Sequence, residues 1–174
     1  PTPWVWYAPH FDGVMPREIH AWICERLLAA GLAFAGVDVG ESYGSPAGRQ
    51  SYTSFLDAVA PTYGLAARPA LLCQSRGGLM HYNWAVEHPD RVLRIAGIYP
   101  VCNLAAWPGA ERAGPAYGMT PEQLQPALAE HNPIERLAPA LGGPVELLII
   151  PGAGHEEISA FFECPRLVEF LIRG

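Results

Sequence analysis

The stretch Leu71-Leu-Cys-Gln-Ser-Arg-Gly-Gly-Leu79 decides how this chain is read. The apolar run Ala70 to Cys73 predicts a buried strand, and Arg76 to about Glu87 predicts a helix, which leaves Ser75 at the apex of a sharp turn between them. A turn that tight closes only when the residues two positions either side of the apex are small, and Cys73 and Gly77 meet that need. The turn projects the serine oxygen out of the sheet. The helix that follows presents backbone N–H groups and a partial positive charge to a developing oxyanion. A bare Ser-x-Gly carries no information, whereas its placement on strand, turn and helix does.

Upstream, Trp4 to Ala8 is a short aromatic and β-branched run closed by Pro9, and reads as the first strand. Between Arg17 and Ala30, Ile19, Trp22, Ile23, Arg26 and Leu27 recur at helical spacing, and Gly31 supplies the stop. Leu32 to Val39 predicts the second strand, the loop Gly40 to Pro46 follows, and a helix is expected from about Gln50 to Tyr63. Downstream, Pro89 biases His88 away from helix, so His88 to Arg91 is a turn. Val92 to Tyr99 is the fourth strand. Residues 103–144 are rich in Pro, Gly and Ala, and read as a cap-like, irregular insertion with one helix near Pro121–Glu130. Val145 to Ile150 predicts a fifth strand, and a last helix is expected from about Ser159 to Ile172.

Strands that alternate with helices, and are themselves near-continuous apolar runs, predict a sheet covered on both faces. The expectation is an α/β chain: a three-layer α/β/α, doubly wound parallel sheet of about five strands in the order second, first, third, fourth, fifth. Ligands then bind beyond the carboxyl ends, where the loops after Ala8, Val39, Cys73, Pro100 and Ile150 converge. The 174 residues suit one domain, 1–174, and half are hydrophobic.

Eleven Lys and Arg against seventeen Asp and Glu, scattered along the chain, give −6 and argue against a nucleic-acid partner. No apolar run reaches the roughly 18–20 residues of a membrane span, and mean hydropathy is only +0.11. Cys24, Cys73, Cys102 and Cys164 form no Cys-x-x-Cys pair, which argues against a zinc ribbon or redox dithiol. They read as small buried residues, with a Cys24–Cys164 bridge as the alternative. No basic-then-apolar leader is visible after Pro1, and the compartment stays open.

A partner for Ser75 stands in Pro151-Gly-Ala-Gly-His155, directly after the last expected strand. A histidine on a glycine-rich loop at the carboxyl edge can reach the serine and act as its general base. His20, His81 and His88 lie on or beside helices, His131 precedes Asn132-Pro133, and His10 follows the first strand near the expected site.

With these segments in place the chain resembles an α/β-hydrolase, and within that superfamily the bacterial esterase-like and prolyl-oligopeptidase-like serine hydrolases. Tyr7-Ala-Pro-His10, Gly36 to Pro46, Cys73-Gln-Ser-Arg-Gly-Gly78, Tyr82 to Asp90, Gly97 to Asn103 and Pro151 to His155 carry the resemblance in the family's order. It implies Ser75 as nucleophile and His155 as base. The oxyanion hole it implies is the N–H of Arg76 with a second N–H from His10 or, failing that, Phe11. It implies no metal or organic cofactor.

The chain departs from the family where the triad's acid belongs. Asn132 to Pro139 runs almost directly into Leu141-Gly-Gly-Pro-Val145, so the strand and loop bearing the acid are missing, as is the family's first hairpin. Asn103, Glu111, Glu156, Glu157, a carboxylate from a second subunit, or no acid at all are the alternatives. Two readings of Arg76 stand: a guanidinium for a substrate carboxylate or phosphate, or a helix-start arginine paired with an acid such as Glu41. Tyr43, Tyr99, Trp107 and Tyr117 are candidates for an aromatic lining or for packing.

The expectation is therefore a serine esterase acting on a small-molecule ester through an acyl-enzyme, with amide cleavage a weaker variant. An impaired hydrolase scaffold serving as a binding or structural module is the alternative. Sheet edges bared by the missing elements suggest a homodimer.

Overall fold

The computed structural model describes residues 1–8, 16–141 and 146–173. Its four strands are β1 (Trp4–Ala8), β2 (Ala33–Ala35), β3 (Ala70–Gln74) and β4 (Arg94–Ile98). All pair in parallel, in the order β2-β1-β3-β4. This is the order the sequence predicts for its first four strands. The register sets Ala8 beside Cys73 and Cys73 beside Gly97, so β1, β3 and β4 end together at the Ser75 turn.

Side-chain alternation along β1 and β3 divides the core in two. Val5, Tyr7, Ala70 and Leu72 pack against α1 (Ala21–Ala29), α7 (Ser159–Phe162) and α8 (Pro165–Ile172), through Ile23, Leu27, Phe162, Val168 and Leu171. Trp4, Trp6 and Leu71 pack on the other face against α2 (Pro46–Thr62) and α3 (Gly77–Glu87), through Tyr52, Leu56, Met80 and Trp84. All five residues of β1 are buried, as a strand covered on both faces requires. The result is the three-layer α/β/α arrangement.

Several boundaries differ from the sequence reading. The second strand keeps only three residues, Ala33–Ala35, because β1 offers ladder partners to those alone. The second helix begins at Pro46, not Gln50. Ser45 caps it by accepting the Gly48 N–H, and Pro46 sits at its first position, where a missing N–H costs nothing. The cap-like region is largely helical: α4 (Ala110–Tyr117), α5 (Pro121–His131) and α6 (Pro133–Leu141) stand where one helix is expected. Arg136 holds this region to the scaffold by donating to Asn83 Oδ1 at 2.7 Å and pairing with Glu87 at 3.2 Å. The final helix is broken at Glu163-Cys164.

The expected fifth strand is not formed among the described residues of that segment. Residues 146–150 carry no ladder, and Leu147 and Ile149 are 77% and 75% exposed. An apolar run fixes a strand only where a neighbour accepts its backbone, and here none of the described strands does. All four cysteines are free thiols, so the Cys24–Cys164 bridge is not made, although α1 and α8 do share one face of the sheet. No helix among the described residues is long and apolar enough to cross a membrane.

Candidate active site

β3 delivers its last residue, Gln74, into the interior and hands the chain to Ser75, whose φ is +48°. That left-handed conformation in a residue bearing a Cβ is strained, and it is the strain a serine-apex turn requires. Backbone hydrogen bonds hold it: the Ser75 N–H donates to Ile98 O at 3.1 Å, and Ser75 O accepts from Gly78 N at 2.9 Å and Val101 N at 2.8 Å. The two glycines that follow are demanded by close approach. A Cβ on Gly77 would meet Ala8 O at 2.6 Å, and one on Gly78 would meet Val101 O at 2.5 Å.

Ser75 is 3% exposed, yet its Oγ lies 2.7 Å from Nε2 of His155, across 80 residues of sequence. In the tautomer that carries its proton on Nδ1, the imidazole accepts the serine O–H. His155 sits in the exposed loop after Gly152, and its ring packs against Tyr99, with centroids 4.8 Å apart and the planes tilted by 59°. Tyr99 also has a positive φ, +35°. Arg76 is the N-cap of α3, so its backbone N–H stands at the positive end of that helix, next to Ser75. The second expected donor, His10 or Phe11, falls outside the described residues.

None of the four acid candidates reaches the imidazole. Asn103 Oδ1 is used in a turn, accepting from Ala105 N, Ala106 N and Asn132 Nδ2. Glu111 is exposed in the first turn of α4. Glu156 accepts from Gly154 N at 3.4 Å. Glu157 pairs with Arg17 and accepts from Gln74 Nε2 at 3.1 Å. Among the described residues, no carboxylate forms a hydrogen bond or ion pair with His155.

The Arg76 guanidinium pairs with Glu41 and lies 5.3 Å from the Trp107 ring, which favours the structural reading of this side chain. Of the aromatic candidates, Tyr99 touches His155 and Trp107 touches Arg76. Tyr43 and Tyr117 are buried in the core of the cap, where Tyr117 OH donates to Tyr43 O at 3.0 Å.

Beneath the turn lies a polar network that the sequence reading missed. Gln74 is fully buried and makes four hydrogen bonds. Its Oε1 accepts from Tyr7 OH at 2.9 Å and faces His20 Nε2 at 2.8 Å, while its Nε2 donates to Tyr99 OH at 2.5 Å and to Glu157. His20 Nδ1 accepts the Arg17 N–H at 3.1 Å, so the imidazole proton is on Nε2, where Gln74 needs it. Burial pushes the phenols of Tyr7 and Tyr99 up, which keeps both O–H groups protonated. The one available signal was a polar residue, Gln74, closing an otherwise apolar strand.

Comparison with protein-family models, with curated proteins and with solved structures yields no match.

Proposed function

We propose that the chain is a serine hydrolase that cleaves a carboxylic ester through an acyl-enzyme on Ser75. The observation that carries this reading is the 2.7 Å contact between Ser75 Oγ and His155 Nε2, made at a residue held at φ +48° on a strand-to-helix turn. A serine strained for packing alone has no reason to meet an imidazole from a loop 80 residues away.

In this mechanism His155 Nε2 takes the hydroxyl proton as Oγ bonds to the ester carbonyl carbon. The carbonyl electron pair moves onto oxygen, and that oxyanion is met by the Arg76 N–H at the start of α3, with the second donor expected from His10 or Phe11. The imidazolium then gives its proton to the departing alkoxide, leaving the ester of Ser75. Water attacks that ester, His155 takes the water's proton and returns it to Oγ, and the carboxylic acid leaves. An alkoxide is an easier leaving group than an amide nitrogen, so an ester suits an imidazole with no carboxylate partner among the described residues.

Intact mass after incubation with an alkyl fluorophosphonate tests the proposal. A single phosphonyl adduct on the native chain, absent from Ser75→Ala, is expected, followed by turnover of short-chain esters. A folded native chain that takes no adduct would overturn the proposal and favour a hydrolase-like scaffold with a binding role.

A further inference from the structure

We infer that Gln74 is a positioning residue for His155, holding the base against Ser75 through Glu157 and Tyr99. This rests on the reading of Ser75 and His155 as nucleophile and base. An acid partner would do two things for the imidazole: fix its orientation and stabilise its charged form. Among the described residues no carboxylate bonds to this ring, and the loop that carries it, from Pro151 to Glu157, is exposed at nearly every position. Gly152 at φ +77° and Gly154, around which a Cβ would meet nothing, leave the loop little packing of its own. Something outside the loop must orient the ring.

Gln74 is placed to do so by two routes. It immediately precedes Ser75, and Glu157 follows His155 by two residues, so the Gln74 to Glu157 bond at 3.1 Å ties the nucleophile's turn to the base's loop. Its other amide hydrogen goes to Tyr99 OH at 2.5 Å, and the Tyr99 ring packs against His155. Tyr99 is held from behind by Phe161 and Phe162, at centroid distances of 5.1 and 6.2 Å.

The amide cannot turn over. A carboxylate only accepts, so Glu157 requires the nitrogen on its side, and the Tyr7 O–H and the His20 Nε2–H require the oxygen on theirs. Every donor and acceptor of this buried side chain is used, which makes it a rigid peg. Arg17 and Gln74 both donate to the same oxygen, Oε1 of Glu157. The Glu157 charge is thus already paired with Arg17. What reaches His155 is position, and one amide oxygen at residue 157 can supply it as well as a carboxylate.

The test is the second-order rate of Ser75 phosphonylation by an alkyl fluorophosphonate from pH 5 to 9, followed by intact mass, with Tm measured alongside. Misplacement of a catalytic group by about 1 Å can cost roughly a hundredfold. Glu157→Ala is therefore expected to lower the plateau rate by about ten- to a hundredfold while the inflection of the pH profile stays in place. Glu157→Gln is expected to keep the rate within about threefold of native. Should Glu157→Ala fail to fold, Tyr99→Leu is expected to give the same fall. A folded Glu157→Ala or Tyr99→Leu protein that labels at the native rate would overturn the inference. So would a Glu157→Gln rate as low as that of Glu157→Ala, which would assign the effect to charge. No labelling of the native chain is a different result: it removes the hydrolase reading, and this inference with it.

Discussion

Gly77 and Ala8 approach so closely that a single added methyl carbon would lie 2.6 Å from the Ala8 carbonyl oxygen and 2.9 Å from its Cβ. Ala8 ends β1 and Gly77 begins α3, so this contact sets how near the helix start can come to the sheet. Both neighbours are backbone or Cβ atoms of a fully buried strand and cannot step aside. Gly77→Ala should therefore destabilise the fold by about 1–3 kcal/mol, the usual cost of overpacking. It should also slow phosphonylation of Ser75, because the turn must open to admit the methyl. Urea unfolding and labelling rates on the same sample check both effects. An alanine variant as stable and as reactive as native would mean that the turn has slack.

The left-handed φ of Ser75 leads to a second expectation. Strain at a residue with a Cβ in that region costs on the order of 1 kcal/mol, and glycine escapes it. Ser75→Gly and Ser75→Ala both lose the hydroxyl and its bond to His155, so comparing them isolates the backbone. Ser75→Gly should be the more stable of the two by about 1 kcal/mol, and neither should label. Equal urea midpoints would show that the surrounding hydrogen bonds, not strain, dominate the turn.

Much of this was legible in the sequence, for identifiable reasons. β1 and β3 are dense apolar runs with tight punctuation, Pro9 after one and Ser75-Arg76-Gly77 after the other, and both form where they are expected. The segment before Ile150 is just as apolar and forms no strand, because a strand needs a neighbour and composition does not say whether one is present. Proline misled in the other direction. Pro46 reads as loop yet opens α2, and Pro115 lies inside α4, which helped make 103–144 look irregular apart from the helix expected near Pro121–Glu130. Ser75 and His155 could be paired beforehand because each sits at the carboxyl end of its own segment. The Gln74 to Glu157 bond could not, since its partners are 83 residues apart and nothing in either segment marks one for the other.

Arg76 offers a sharper test of substrate chemistry. Its side chain is about one-fifth exposed and pairs with Glu41, itself about one-quarter exposed, beside Trp107. A guanidinium held this way favours a role in the loop at residues 40–45 over one on a substrate anion. Arg76→Ala should cost no more than about 1 kcal/mol, as partly exposed pairs usually do. It should lower kcat/KM for a neutral ester and for a carboxylate-bearing analogue by the same factor. The backbone N–H at position 76 is untouched by the substitution. A loss confined to the anionic ester would return the guanidinium to the substrate.

His81 should make the protein acid-sensitive. It lies on the buried side of α3, fully enclosed, with rings of Trp6 and Tyr52 at 5.4 and 5.5 Å and neither ring nitrogen bonded to any of the described residues. Burial pushes its pKa down to about 3. An unfolded histidine titrates near 6.5, so between about pH 6.5 and 3 the unfolded chain binds a proton that the folded chain refuses. Stability is fully present above that window and falls as pH drops through it, by at most about 1.4 kcal/mol per unit from this residue. His131 is displaced in the same direction, by burial first and then by Arg49 and Arg136. His81→Phe removes two unpaired nitrogens from an aromatic site and should stabilise the protein by about 1–3 kcal/mol at pH 7. Between pH 7 and pH 5 its loss of stability should be smaller than that of native by about 2 kcal/mol, with the His131 share remaining. Urea midpoints at the two pH values decide this. Parallel losses in native and variant would mean that His81 is protonated, or hydrated, in the folded state.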